Sequence, residues 1–211
     1  MIIELNINGD KMNKKRKKKR TKRTPEQMKQ LRKKQNSLNF IQNYNVPFIK
    51  IPSAHLTNED LIEESAKCDV PIIISTGMST WEMVDNAVSV FEKHGTDYAV
   101  LHCNSTYPAP HDELNLNIIP IMKERYNCIV GYSGHEYDLD PSVVAIALGA
   151  EIIERHITLD HNMWGTDHKS SLEVHAMDLL SKRISDIHSI LGSNEKIITE
   201  SEKKVMKKLR G

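Results

Sequence analysis

Short apolar runs recur along this chain from about residue 46 onward, and between them the apolar positions change to helical spacing. Residues 46–51 (VPFIKI) read as a strand, with Pro47 near its start, where a missing N–H is tolerated. Residues 71–75 (PIIIS) form a fully apolar run, the pattern of a parallel strand buried on both faces. Residues 98–103 (YAVLHC), 129–132 (IVGY) and 151–154 (EIIE) complete a set of five strands. Thr57, Asn58, Glu59 and Asp60 offer capping chemistry for a helix to about Lys67. Thr80 caps another, whose Val84, Ala87, Val88 and Phe91 share one face. Further helices are expected over 118–125 and in the run PSVVAIALGA at 141–150. After Ser170, residues Met177, Leu180, Ile184, Ile187 and Leu191 fall at spacings of three and four, and Gly192 supplies a stop. A short basic helix is expected over 201–209. Strands alternating with helices predict an α/β parallel sheet, either doubly wound or a (β/α) barrel, and periodicity does not choose between them.

In either architecture the carboxyl ends of the strands build the site. Lys50 and Ser53 follow the first strand, and Ser75, Thr76 and Gly77 the second. His102, Asn104, Ser105 and Tyr107 follow the third, Ser133 and His135 the fourth, and Glu154, His156 and then Asp167 the fifth. His135 and His156 sit just past two strands at the spacing of a parallel βαβ unit, which brings both imidazoles to one edge of the sheet. With Glu154, Asp167 and Ser133 nearby, that pair suits a divalent metal whose other positions stay open to water or substrate; the alternative is two hydrogen-bonded core histidines. A lysine with several hydroxyls and loop amides suits a phosphate or carboxylate ligand, against the alternative that Lys50 snorkels to the surface. No glycine-rich Walker or dinucleotide fingerprint occurs, which argues against nucleotide-dependent chemistry.

At 211 residues the chain fits one large domain or part of one. Three cysteines, odd in number and without metal-type spacing, suggest reduced thiols and a cytoplasmic setting. No run approaches the roughly 18 apolar residues of a membrane helix, and the start, MIIELNING, lacks the basic n-region of a signal peptide. The net charge of +1 conceals an asymmetry, +11 over residues 1–49 and −10 over 50–211. Most of the excess lies in residues 14–23 (KKRKKKRTKR), a self-repelling run that marks residues 1–36 as a disordered basic leader with a short helix after Thr24. Such a run suits a polyanion or is a solvated tail; no aromatic residue is interleaved for base stacking, so nucleic acid is not expected as a partner apart from this leader.

The segments KIPSAHLTN (50–58), ISTGMST (74–80), LHCNSTYPAP (101–110), GYSGHE (131–136) and IIERHITLD with MWGTD (152–167) together resemble the N-acetylneuraminate (sialic acid) synthase family, the NeuB-like enzymes. The resemblance runs from about Ser37 to Arg210. It implies a (β/α)8 TIM barrel that condenses phosphoenolpyruvate with an N-acyl hexosamine, such as N-acetylmannosamine, to a nonulosonic acid and phosphate. It further implies a divalent metal (manganese, magnesium or cobalt) and a homodimer. By motif match His135 and His156 correspond to metal ligands. Lys50, Ser53, Ser75, Ser105, Tyr107 and Ser133 fall at phosphoenolpyruvate-site positions. Glu154 and Asp167 fall on the sugar and metal side; with His55, which stands where an acidic residue is often found, they form the candidate catalytic set. Pro52 replaces a family glycine.

Family members carry about three further strands before the segment matching 46–51, and a C-terminal antifreeze-like domain after the barrel. Residues 37–211 therefore read as a partial barrel, its last five strands, with weak or no activity expected of this chain alone. The competing reading is an inactive remnant whose basic leader binds polyanions. An open barrel exposes strand edges, which two chains can cover by dimerising. Alternatively the leader covers one edge, and MIIELNI is its only segment with strand character.

Overall fold

A computed structural model of the chain describes residues 2–4, 38, 40, 41 and 43–211. The basic run 14–23 and the helix expected after Thr24 lie outside the described residues. The main sheet comprises β1 (Ile2–Glu4), β2 (Ile49–Ile51), β3 (Ile72–Ser75), β4 (Tyr98–Cys103), β5 (Ile129–Gly134) and β6 (Ile152–Arg155), in the order β1-β6-β5-β4-β3-β2. The strands from β2 to β6 are parallel and lie side by side in chain order. Helices α1 (Glu59–Ser65), α2 (Trp81–His94), α3 (Ile118–Tyr126) and α4 (Asp140–Ala147) connect them. Beyond β6 come a two-stranded parallel sheet, β7 (Ile157–Thr158) and β8 (Leu172–Glu173), then α5 (Val174–Leu191) and α6 (Glu200–Arg210). The sequence pattern did not announce the small sheet, because two-residue strands carry too little periodicity to register. Among the described residues, no helix is long and apolar enough to cross a membrane.

Local chemistry sets the boundaries. The Asn58 side chain accepts from Leu61 N–H to start α1, and Thr80 accepts from Met83 N–H to start α2. Gly95 (φ 68°) and Asn127 (φ 45°) close α2 and α3 in the left-handed conformation. β2 is shorter than the expected 46–51: Pro47 has no N–H to donate, and pairing begins where Ile49 N–H meets the Pro71 carbonyl at 2.9 Å.

The sheet curls into a five-stranded parallel half-barrel. In a flat sheet, four strand spacings would hold β2 and β6 about 19 Å apart. Yet Lys50 Nζ on β2 lies 3.0 Å from Glu154 Oε1 on β6, across the concave face. Alternation along the strands gives the sheet two faces. The convex face carries Ile49, Ile51, Ile72, Ile74, Val100, Val130, Tyr132 and Ile153 into one core with the helices, including Phe91, Ile119 and Leu180. The concave face carries a smaller cluster, Ile73, Ala99, Leu101 and Ile152, against which Phe48 packs. Gly131 belongs to this layer: a Cβ there would meet Leu101 Cδ2 at 2.5 Å and the Ile152 carbonyl at 2.5 Å.

β1 pairs antiparallel with β6, Ile2 opposite Glu154 and Glu4 opposite Ile152. Of the two ways to cover that edge, the chain's own N-terminal segment takes it.

Candidate functional site

Alternation continues past the cluster towards the strand ends. Lys50, Ser75, Cys103, Ser133 and Glu154 follow it on the concave face, and the loops beyond add polar side chains above them. Glu154 Oε1 accepts from Ser133 Oγ at 2.8 Å and faces the Lys50 ammonium. Lys50 is therefore no snorkelling surface lysine; it points across the half-barrel. Ser75 Oγ is buried and has no hydrogen-bond partner among the described residues, an unusual state for an enclosed hydroxyl. Gly77 N–H donates to Ser53 Oγ at 2.9 Å. A Cβ on Gly77 would lie 2.1 Å from Ser105 Oγ and 3.2 Å from Cys103 Sγ, so the loops after β2, β3 and β4 converge only because this residue is glycine.

The two histidines meet above this floor. The rings of His135 and His156 are 5.2 Å apart, and Tyr107 packs against both, at 4.0 Å and 5.6 Å between ring centroids. His135 Nδ1 lies 2.6 Å from the Asn104 carbonyl, which can only accept, so the proton sits on Nδ1. Nε2 then offers its lone pair, and the Tyr107 hydroxyl donates to it at 2.8 Å. Burial holds the His135 pKa below its ordinary value; burial and then the neighbouring His135 do the same for His156. Burial raises the Tyr107 phenol. Asp167 is exposed, with Oδ2 3.9 Å from His156 Nδ1 and Oδ1 accepting from Thr166 Oγ1 at 2.7 Å. Among the described residues, no three His, Cys, Asp or Glu side chains group as a metal site. The side chains that could hold a metal here are the two imidazoles of His135 and His156, with Asp167 at their margin.

Of the residues expected from the sequence, Glu154 contacts both Lys50 and Ser133, Ser53 and Ser105 converge on Gly77, and the rings of Tyr107, His135 and His156 pack together, that of Tyr107 edge-on to His156. Asp167 stands at their margin. His55 is exposed on the 3-10 turn Ser53–His55, and the contacts just described do not include it. His102 faces the convex side, buried, with Nε2 2.7 Å from the Leu114 carbonyl; it is a core histidine.

Two charged residues went unremarked in the sequence. Glu136 and Arg155 flank the two histidines in the chain, and their side chains are fully buried. Arg155 Nη1 donates to Glu136 Oε1 at 2.7 Å, to the Asp138 carbonyl at 2.9 Å and to Ser142 Oγ at 3.0 Å. Tyr132 donates to Glu136 Oε2 at 2.7 Å. The signal was present: each charge lies one residue from a strand-end histidine, so period-two alternation sends it to the opposite, helix-covered face.

The NeuB family matches residues 32–196. N-acetylneuraminate-9-phosphate synthase of Drosophila melanogaster is 40% identical over 72% of this chain and 41% of its own length. N,N'-diacetyllegionaminic acid synthase of Campylobacter jejuni is 37% identical over 80% of this chain and 51% of its own length. Among solved structures, the sialic acid synthetase of Leptospira borgpetersenii, in complex with citrate, superimposes with a TM-score of 0.74 at 32% identity, over 82% of this chain and 62% of that one. The chain spans about half the length of the curated relatives it matches.

Proposed function

The chain belongs to the NeuB family, and from its concave face we propose a sialic acid synthase-type reaction: condensation of phosphoenolpyruvate with an N-acyl hexosamine. The observation that carries this reading is the convergence of Lys50, the unpartnered buried hydroxyl of Ser75 and the Ser133–Glu154 pair beneath two neutral histidines. An ammonium and an unsatisfied buried hydroxyl are what a small anion requires. The relatives named as synthases of N-acetylneuraminate-9-phosphate and diacetyllegionaminic acid point to the same substrate class.

In this reading Lys50, Ser53, Ser75, Ser105, Tyr107 and Ser133 hold phosphoenolpyruvate with its carbon 3 facing the hexosamine aldehyde. Carbon 3 forms the new bond to the aldehyde carbon, whose oxygen takes a proton. Water adds at carbon 2 and loses a proton, and phosphate departs as the carbon–oxygen bond breaks. Glu154 and Asp167 serve the sugar side. His135 and His156 would hold a divalent metal (manganese, magnesium or cobalt), and the chemistry such an ion supplies is Lewis-acid polarisation of the aldehyde. The protein's part is otherwise positional and electrostatic: it holds the two reactants together and stabilises the anion as it leaves.

Calorimetry with phosphoenolpyruvate tests the reading. Lys50→Ala should lose about 1.5–3 kcal/mol of binding, the worth of a hydrogen bond to a charged group. Lys50→Arg should recover only part of it, because a planar fork does not replace a compact ammonium. Equal affinity for phosphoenolpyruvate in wild type and the alanine variant would sink it.

A further inference from the structure

The two histidines are adjacent in the chain to the two members of the buried ion pair. Gly134 and Arg155 are paired across β5 and β6. His135 and Glu136 follow Gly134, and His156 follows Arg155. In an extended chain successive side chains point to opposite faces. A side chain locked into the helix-covered face therefore fixes its neighbour onto the concave face. Arg155 is locked by three acceptors on Nη1, one of them the carbonyl of Asp138 in the turn after β5, and by an Nη2 donation to the Glu136 carbonyl. Glu136 is locked through both oxygens: Oε2 takes the Tyr132 hydroxyl, while Oε1 takes Arg155 and, at 3.3 Å, Ser142 Oγ. Room for the carboxylate comes from Gly134, where a Cβ would approach both Glu136 oxygens to 2.7 Å. One guanidinium thus ties the turn leaving β5 to the end of β6, and these are the two backbone points from which His135 and His156 project.

We propose that Glu136 and Arg155 are positioning residues that set the separation and mutual orientation of His135 and His156. This rests on the reading of those histidines as one site. It extends that reading by assigning the geometry of the pair to a device on the far side of the sheet. The pair never touches the ligand; it acts through the backbone it staples. Its cost is the desolvation of two charges, which a same-sized apolar pair would avoid. A guanidinium supplies what an apolar pair does not: directional bonds to two carbonyls of a turn that must hold its shape.

The test compares wild type with the doubly neutral variant Glu136→Gln/Arg155→Met and with Leu180→Ala, a convex-face core substitution that lowers stability elsewhere. Two readouts are used: manganese binding by calorimetry with no substrate present, and the nuclear Overhauser contact between the His135 and His156 rings in metal-free, ring-labelled protein. The double variant should fold, lose the ring-to-ring contact and bind manganese about 10- to 100-fold more weakly, the usual loss when a partner behind a metal ligand is removed. Leu180→Ala should keep the contact and wild-type affinity. Retention of the contact in the double variant, or its equal loss in Leu180→Ala, overturns the proposal. Wild type that shows the contact but no manganese affinity defeats the metal reading alone, and the contact in the variants still decides the positioning role. Should the double variant fail to fold, Arg155→Lys carries the same readouts, since it keeps the charge but has too few donors to reach every acceptor.

Discussion

Glu154 and Arg155 are neighbours in one strand, and each forms an ion pair on its own side of the sheet. Arg155 pairs with Glu136 on the convex side, in a fully buried network. Glu154 pairs with Lys50 on the concave side, where each side chain keeps about a fifth of its surface exposed (21%). On the convex face large apolar side chains interlock with the helices, and the buried Tyr132 hydroxyl and Glu136 carboxylate are satisfied. On the concave face a thin apolar layer gives way to polar groups such as Lys50 and Glu154 that keep part of their surface exposed, and the Ser75 hydroxyl has no partner among the described residues. Residues one position apart in the strands thus serve different ends. The convex set holds the fold, and under the proposed function the concave set would exchange its internal contacts for a ligand.

The largest expected effect falls on the two ion pairs. Arg155→Met leaves Glu136 charged and buried without its guanidinium, which should cost about 3–5 kcal/mol of folding stability. Lys50→Met removes a partly solvated partner and should cost about 1 kcal/mol or less. Urea denaturation of both variants measures the contrast, and equal losses would make the Lys50 pair as structural as the Arg155 pair. The next effect compares Ile74 with Ile73. Ile74→Ala opens a cavity in the convex core and should cost about 3 kcal/mol; Ile73→Ala, in the thin concave layer, can admit water and should cost nearer 1–2 kcal/mol. A reversed order would mean that the concave layer is the principal core.

Much of this division was legible in the sequence. The strand at Ile72–Ser75 is apolar because both of its faces are covered, and the helix with Val84, Ala87, Val88 and Phe91 on one side buries those four residues. His135 and His156 were placed by strand-end spacing, and the five motifs carried the family. What escaped depends on contacts between residues distant in the chain. That Lys50 reaches Glu154 follows from curl, which no local pattern encodes. That Arg155 belongs to the core follows from partners 13 to 19 positions away. β1 was legible only as one of two ways to cover an edge, since the near-alternation of MIIELNI fits many strands equally well. The Asn104 carbonyl, which fixes the His135 tautomer, plays a backbone role that side-chain motifs do not show.

The smallest effect concerns pH, and it separates the faces by the histidines each contains. Burial lowers the pKa of His102 on the convex side and of His135 and His156 on the concave side. In the unfolded chain these groups titrate near their ordinary value of 6.5. Above that pH they are neutral in both states and contribute no pH dependence. As pH falls below it, the unfolded chain takes up protons before the folded one, so stability falls until the depressed folded values are passed. Depressed carboxylates such as Glu63 and Asp85 act only lower, because their ordinary values are 4.5 and 3.8. The melting temperature should therefore drop between about pH 7.5 and about pH 5.5, read by circular dichroism. Two of the three responsible groups line the concave face, so His135→Gln/His156→Gln should flatten the drop more than His102→Gln does. A drop that survives in the double variant and vanishes in His102→Gln would move the pH sensitivity to the convex core and leave the concave histidines without the depressed pKa values that keep them neutral for a ligand.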